Sequence, residues 1–173
     1  MKFRAAVIGC GRIGAGVGAS AEKGEVSHLS AYHAHPAVTS LAFFDPSISA
    51  AQNAAQQTGG KAYGGLRELL QAEKPEIVSV CGPDATHEAV VRQLLDCASV
   101  RGILAEKPLA LTMAPARELA ERARDKGIVL AVNYSRRFSG LFQELQKRLQ
   151  SGEWGELQQA TGFYTKGIFH NGT

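Results

Sequence analysis

Two short stretches carry residue types at spacings that suit chemistry. Gly9-Cys10-Gly11-Arg12-Ile13-Gly14 has the pattern G-x-G-x-x-G directly after an apolar run. The glycines serve different steric ends, since Gly9 permits a tight turn, Gly11 lets the backbone approach a pyrophosphate, and Gly14 allows close helix packing. A helix after such a turn directs unpaired N–H groups and its positive dipole end at phosphates. Arg12 can assist there or stand as a surface charge, and Ile13 completes the motif. Asp45 closes a second apolar run. An acid at that strand tip accepts hydrogen bonds from adenosine ribose hydroxyls and repels a 2'-phosphate, which favours NAD over NADP. Because Pro46 follows, Asp45 can alternatively cap the next helix.

The second stretch is Glu106-Lys107-Pro108, which follows the apolar residues 102–105. A lysine there emerges at the carboxyl edge of a parallel sheet, where ligands bind in doubly wound folds. Its ammonium can hydrogen-bond a substrate hydroxyl, and burial would help it move that hydroxyl's proton. Pro108 sets the turn that aims it. Glu106 can hold a ribose or orient Lys107. Pro83 and His87 flank another strand exit facing the same crevice, although Asp84 or Thr86 can serve there as a helix N-cap, with His87 completing that region.

The elements that must position these groups are legible as a rhythm. Apolar runs of strand length at 3–9, 38–44, 76–81, 102–105 and 128–133 suit strands buried on both faces. Amphipathic stretches at 85–95 and 112–126 predict helices, with weaker ones at 47–58 and 66–73. This alternation implies an α/β fold: a doubly wound parallel sheet of Rossmann type with helices on both faces. Asp45 lies well beyond the roughly 20 residues that usually separate glycine turn from acid, so residues 15–27, rich in glycine and serine, form an inserted loop, and the packing helix resumes near 28–34. His28, His33 and His35 on that helix suggest a solvated face or a pocket rim, and no metal site is expected. After Asn133 a helix carrying Phe138, Leu141, Phe142, Leu145 and Leu149 ends near Ser151-Gly152, and 156–169 is expected to form one long strand. The expected domains are therefore 1–134, which binds a dinucleotide, and 135–173, the truncated start of an α+β substrate domain.

Composition excludes other classes. The chain has 173 residues, enough for one sizeable core, with 19 basic and 16 acidic residues scattered along it. No basic cluster suggests nucleic acid. No apolar run approaches the roughly 20 residues that span a bilayer, and Met1-Lys2-Phe3-Arg4 leads into a strand, so no membrane partner and a cytoplasmic location are expected. Cys10, Cys81 and Cys97 lack metal-ligand spacing and suit small buried hydrophobes in a reducing compartment.

The order of motifs resembles the Gfo/Idh/MocA family of dehydrogenases along essentially the whole chain. The glycine turn is followed by Asp45, Pro83-Asp84-Ala85-Thr86-His87, Glu106-Lys107-Pro108 and Asn133-Tyr134-Ser135-Arg136-Arg137-Phe138. The Glu-Lys-Pro tripeptide is the most specific mark. The resemblance implies hydride transfer between nicotinamide and a hydroxyl of a sugar, inositol or related small molecule, and a homo-oligomer assembled through the second-domain sheet. It also places Pro83 and His87 beside the cofactor and Asn133 near the nicotinamide. The C-terminal residues 167–173 resemble the segment that opens the family's catalytic helix, where the pattern is acid, any residue, glycine, any residue, histidine. His170 occupies the acid's position, and an imidazole titrating near neutrality can act there as acid or base.

The leading expectation is thus an NAD-dependent dehydrogenase whose present chain binds cofactor without turnover, with Lys107 and His170 as catalytic groups. A non-catalytic dinucleotide module or redox sensor is the alternative, and a binder of another nucleotide or of S-adenosylmethionine a third. Both leave Lys107 without a role.

Overall fold

The computed structural model describes residues 1–16 and 27–163. Strands β1 (Phe3–Ile8), β2 (Val38–Phe44), β3 (Lys61–Tyr63), β4 (Ile77–Val80), β5 (Gly102–Ala105) and β6 (Val129–Val132) form one sheet in the order β3-β2-β1-β4-β5-β6. Every pairing is parallel. This is the doubly wound sheet that the alternating apolar and amphipathic segments predict. The helices are α1 (Arg12–Ala15), α2 (His28–Ala34), α3 (Ile48–Thr58), α4 (Leu66–Glu73), α5 (Asp84–Leu95), α6 (Met113–Asp125) and α7 (Gly140–Ser151).

Side-chain alternation along β1 divides the core into two layers. Ala5 and Val7 join Phe43, Leu29, Ala51 and Ala54 on one face, where α2 and α3 pack. Ala6 and Ile8 join Val78, Val80, Ile103 and the buried residues of α4, α5 and α6 on the other. Consecutive strand residues face opposite ways, so a stretch covered on both sides reads as a continuous apolar run, as Ala5 to Ile8 of β1 does after the exposed Arg4.

One difference from the sequence expectation bears on the site, while the helix expected at 28–34 is found there. The helix after the glycine turn is a single turn, α1, ended by Gly16 in the left-handed conformation at φ 75°. The next helix starts afresh at α2, where Ser27 and Ser30 form a reciprocal capping box. Residues 17–26 of the expected inserted loop lie outside the described residues.

The chain divides into two compact units, Met1–Tyr134 and Ser135–Thr173. In the second, a short 3-10 turn (Ser135–Phe138) precedes α7, which Gly152 caps. No residue of α7 is buried, and its apolar face, including Leu141 at 76% exposure, lies open. The long strand expected at 156–169 is not formed over 156–163, which has no regular structure. A strand needs a hydrogen-bonding neighbour, and among the described residues none pairs with 156–163. Positions 164–169 lie outside the described residues.

Candidate functional site

Sheet register gathers the candidate residues on one edge. Ile8 lies beside Phe44 on one side and Val80 on the other, Val80 beside Ala105, and Ala105 beside Val132. The residues that follow these strand ends are Gly9, Asp45, Cys81, Glu106 and Asn133. The ladder extends to them: Gly9 N donates to Phe44 O (2.8 Å), Cys81 N to Ile8 O (2.7 Å), Glu106 N to Val80 O (2.8 Å) and Asn133 N to Ala105 O (2.8 Å). Strand order reverses between β1 and β4, and the crevice outside the carboxyl ends at such a switch point is where doubly wound folds bind ligands.

The three motif glycines are required for different reasons. Gly9 has φ 93°, and a Cβ there would lie 2.5 Å from Gly82 N. A Cβ on Gly14 would lie 1.9 Å from Gly9 O. Both positions are demanded by the protein's own backbone. Gly11 differs, since its φ of −77° suits any residue and a Cβ there would meet no atom within 4 Å. The open space beside Gly11 is what a dinucleotide pyrophosphate approaching the backbone requires, so this loop fits the cofactor. Because α1 is one turn long, its dipole is small. Arg12 and Ile13 open α1 with exposed side chains.

Asp45 ties the glycine loop to the tip of β2. Its Oδ2 accepts from Cys10 N (2.8 Å) and its Oδ1 from Ser47 N (2.9 Å). An ionised carboxylate offers about four lone-pair sites, so each oxygen keeps capacity for a further donor. Burial, with the Asp45 charge nearby, pushes the Cys10 thiol up to about 12. Burial and the Glu106 charge likewise raise the Cys81 thiol. Both cysteines are free.

At the ends of β5 and β6, Glu106 and Asn133 form a unit. Asn133 Nδ2 donates to Glu106 Oε1 at 2.6 Å. His28 Nε2 lies 3.1 Å from the same oxygen, and its Nδ1 lies 2.8 Å from Ser79 Oγ. Tyr32 OH is 2.9 Å from Ser79 Oγ. Burial alone would raise the Glu106 carboxyl, but the Asn133 and His28 hydrogen bonds outweigh it and hold the group below its ordinary range. Lys107 is exposed, and its Nζ has no side-chain partner among the described residues. The strand ends at Ala105, and the lysine stands two residues beyond it. The Lys107-Pro108 peptide is cis.

Of the three histidines expected on a solvated face or a pocket rim, His33 and His35 are exposed, whereas His28 is 8% exposed and hydrogen-bonded at both ring nitrogens. His87 is buried as well. Its ring is 0% exposed, with Nδ1 2.6 Å from Pro108 O and Nε2 2.8 Å from Gly82 O. Both ring nitrogens thus face backbone carbonyls, and the ring joins the loop after β4 to the turn after Lys107. The N-cap of α5 is Pro83, not Asp84 or Thr86, and Thr86 Oγ1 donates to Pro83 O at 2.7 Å. Pro83 itself is exposed at the sheet edge. His170 lies outside the described residues. Sequence reasoning missed Tyr32 and Ser79; a serine within the apolar strand β4 was the signal that could have found the latter.

Comparison with known proteins agrees with this fold. The model of the GFO_IDH_MocA oxidoreductase family, NAD-binding Rossmann fold, matches residues 3–134. D-glucoside 3-dehydrogenase of Escherichia coli is 31% identical over 160 residues, covering 92% of this chain and 42% of that protein. The scyllo-inositol 2-dehydrogenase (NAD(+)) of Bacillus subtilis is 25% identical over 169 residues, covering 94% of this chain and 44% of its own length. The crystal structure of myo-inositol dehydrogenase from Lactobacillus casei in complex with NAD(H) and myo-inositol superposes with a TM-score of 0.73 at 26% identity, over 90% of this chain and 43% of that one. The chain thus spans less than half the length of these relatives. With its glycine turn, strand-tip acid and Glu-Lys-Pro edge on one parallel sheet, the chain belongs to the Gfo/Idh/MocA oxidoreductase family through its NAD-binding Rossmann fold.

Proposed function

We propose that this chain is the cofactor-binding part of an NAD-dependent dehydrogenase acting on a hydroxyl of a sugar, inositol or related small molecule. The observation that carries the reading is the alignment of Gly9, Asp45, Glu106, Lys107 and Asn133 along one carboxyl edge at the switch point. Bound NAD supplies a hydride acceptor at its nicotinamide. The turn Gly9 to Gly14, with Arg12 and Ile13, holds the pyrophosphate, and Asp45 accepts from the adenosine ribose hydroxyls. Glu106 and Asn133 hold the nicotinamide end, with Pro83 lining the crevice and His87 supporting it from behind. Lys107 Nζ hydrogen-bonds the substrate hydroxyl and takes part in moving its proton. His170 is a further acid or base from the second unit.

Similarity to D-glucoside and scyllo-inositol dehydrogenases supports the substrate class. We place the protein in the cytoplasm, for which the free cysteines argue, and no helix among the described residues is long and apolar enough to cross a membrane. Residues 135–173 begin the substrate domain, and the full-length protein assembles as a homo-oligomer through that domain's sheet. The test is a turnover assay in which a form carrying the substrate domain is incubated with NAD and a panel of sugars, inositols and other polyols. NAD reduction by a polyol that is lost in Lys107→Met supports the proposal. Binding of NAD with no turnover of any panel member, and no effect of Lys107→Met, favours the non-catalytic module.

A further inference from the structure

Behind the crevice, five side chains make one connected polar path through an otherwise apolar layer. Tyr32 and His28 come from α2, Ser79 from β4, and Glu106 and Asn133 from the ends of β5 and β6. The links run from Tyr32 OH to Ser79 Oγ, from Ser79 Oγ to His28 Nδ1, from His28 Nε2 to Glu106 Oε1, and from Asn133 Nδ2 to that same oxygen. Ser79 is 0% exposed. Buried polar groups are costly unless bonded, and among the described residues no buried side-chain nitrogen or oxygen lacks a partner.

The donor count gives this path a direction. An ionised carboxylate only accepts, and Glu106 is held in that form by its two donors. His28 Nε2 must then carry a hydrogen. In the neutral ring Nδ1 accepts, so Ser79 donates to it, and Tyr32 donates to Ser79. Every hydrogen along the path has an acceptor in this arrangement. The ring itself is held at the first turn of α2, where the Ser27/Ser30 capping box pins the backbone.

We propose that His28 is a positioning residue for the cofactor site: through Nε2–H it fixes the Glu106 carboxylate, and with it Asn133, in the orientation presented to the crevice. Ser79 and Tyr32 lock the imidazole from behind. The role in binding rests on the NAD reading above, whereas the coupling of His28 to Glu106 does not. A histidine that merely filled space would tolerate leucine, and one that acts through Nε2–H would be replaced by glutamine, whose carboxamide also donates.

The experiment joins two readouts on the purified chain. Nitrogen-proton NMR of the imidazoles reports which His28 nitrogen is protonated without cofactor, and NADH titration is then repeated for His28→Gln, His28→Leu and His28→Leu in a Glu106→Ala background. Melting curves confirm that each variant is folded. We expect the proton on Nε2, NADH binding weakened about tenfold by leucine but held within about threefold by glutamine, and no added effect of leucine once Glu106 is removed. A bare Nε2, equal losses in the two single variants, or additive losses with Glu106→Ala overturn the proposal. If the unaltered chain binds no NADH, the NAD reading falls, and a double-mutant cycle of His28→Leu and Glu106→Ala in denaturant melts still decides the positioning claim: coupled losses keep it and additive ones reject it.

Discussion

Alanine at Gly11 and at Gly14 should separate cofactor binding from folding. At Gly14 the new Cβ would stand 1.9 Å from Gly9 O, where ordinary contacts begin at 3.4 Å. The obstacle is backbone, and Gly9 cannot retreat because it packs against Gly82 and sits at φ 93°. Overpacking in a tight interior costs about 1–3 kcal/mol, and a collision with fixed backbone belongs at about 3 kcal/mol. For a chain of this size that lowers Tm by roughly 10 °C. At Gly11 the Cβ enters open space in an allowed conformation, so the cost is confined to a poorer N-cap for a one-turn helix, below about 1 kcal/mol. The methyl would, however, occupy the approach of the pyrophosphate, and NADH affinity should fall at least about tenfold. Thermal melts and NADH fluorescence titrations on the two variants make the comparison. Wild-type affinity in Gly11→Ala would refute the placement of the phosphates, and an equal loss of Tm in both would refute the loop geometry.

Three other outcomes follow from named contacts. Asp45→Ala frees the Cys10 and Ser47 amides, which should cost about 1–2 kcal/mol in urea melts and narrow the preference for NADH over NADPH; unchanged stability would mean the two hydrogen bonds contribute nothing. Because the folded-state Glu106 carboxyl is held below its ordinary value, its contribution to stability is present above the unfolded carboxyl's pKa and lost as pH falls through the folded value. The stability gap between wild type and Glu106→Gln should therefore shrink on acidification, and a pH-independent gap in denaturant titrations would contradict that assignment. Cys10, buried and raised to about 12, should resist alkylation in the folded chain near neutral pH and react on unfolding, as peptide mass spectrometry would show; rapid labelling of the native chain would count against its burial.

Local signals suffice wherever one segment decides its own structure. β2 ends in the apolar run 41–44 closed by an acid, and α2 is legible at 28–34 because the glycine and serine content of the preceding stretch interrupts any earlier helix. β3 gives no separate signal because Lys61–Tyr63 is three residues long, with a lysine at its start, and exists through pairing with β2. The polar path through His28 is not legible because His28 and its bonded partner Glu106 are 78 residues apart and meet only when α2 packs on the sheet. Sequence neighbours put His87 in the crevice, yet two carbonyls from separate loops, Gly82 and Pro108, claim its ring. Over 156–163 the expected strand shows the same limit, since an extended segment becomes a strand only beside a partner.

The most direct test of a dinucleotide site at this sheet edge is calorimetric titration of the purified chain with NADH and with NADPH in parallel. Saturable binding of both, tighter for NADH because a 2'-phosphate would meet the Asp45 carboxylate, is the predicted result. Binding of neither, or NADPH binding as tightly as NADH, would contradict the assignment of the glycine turn and Asp45.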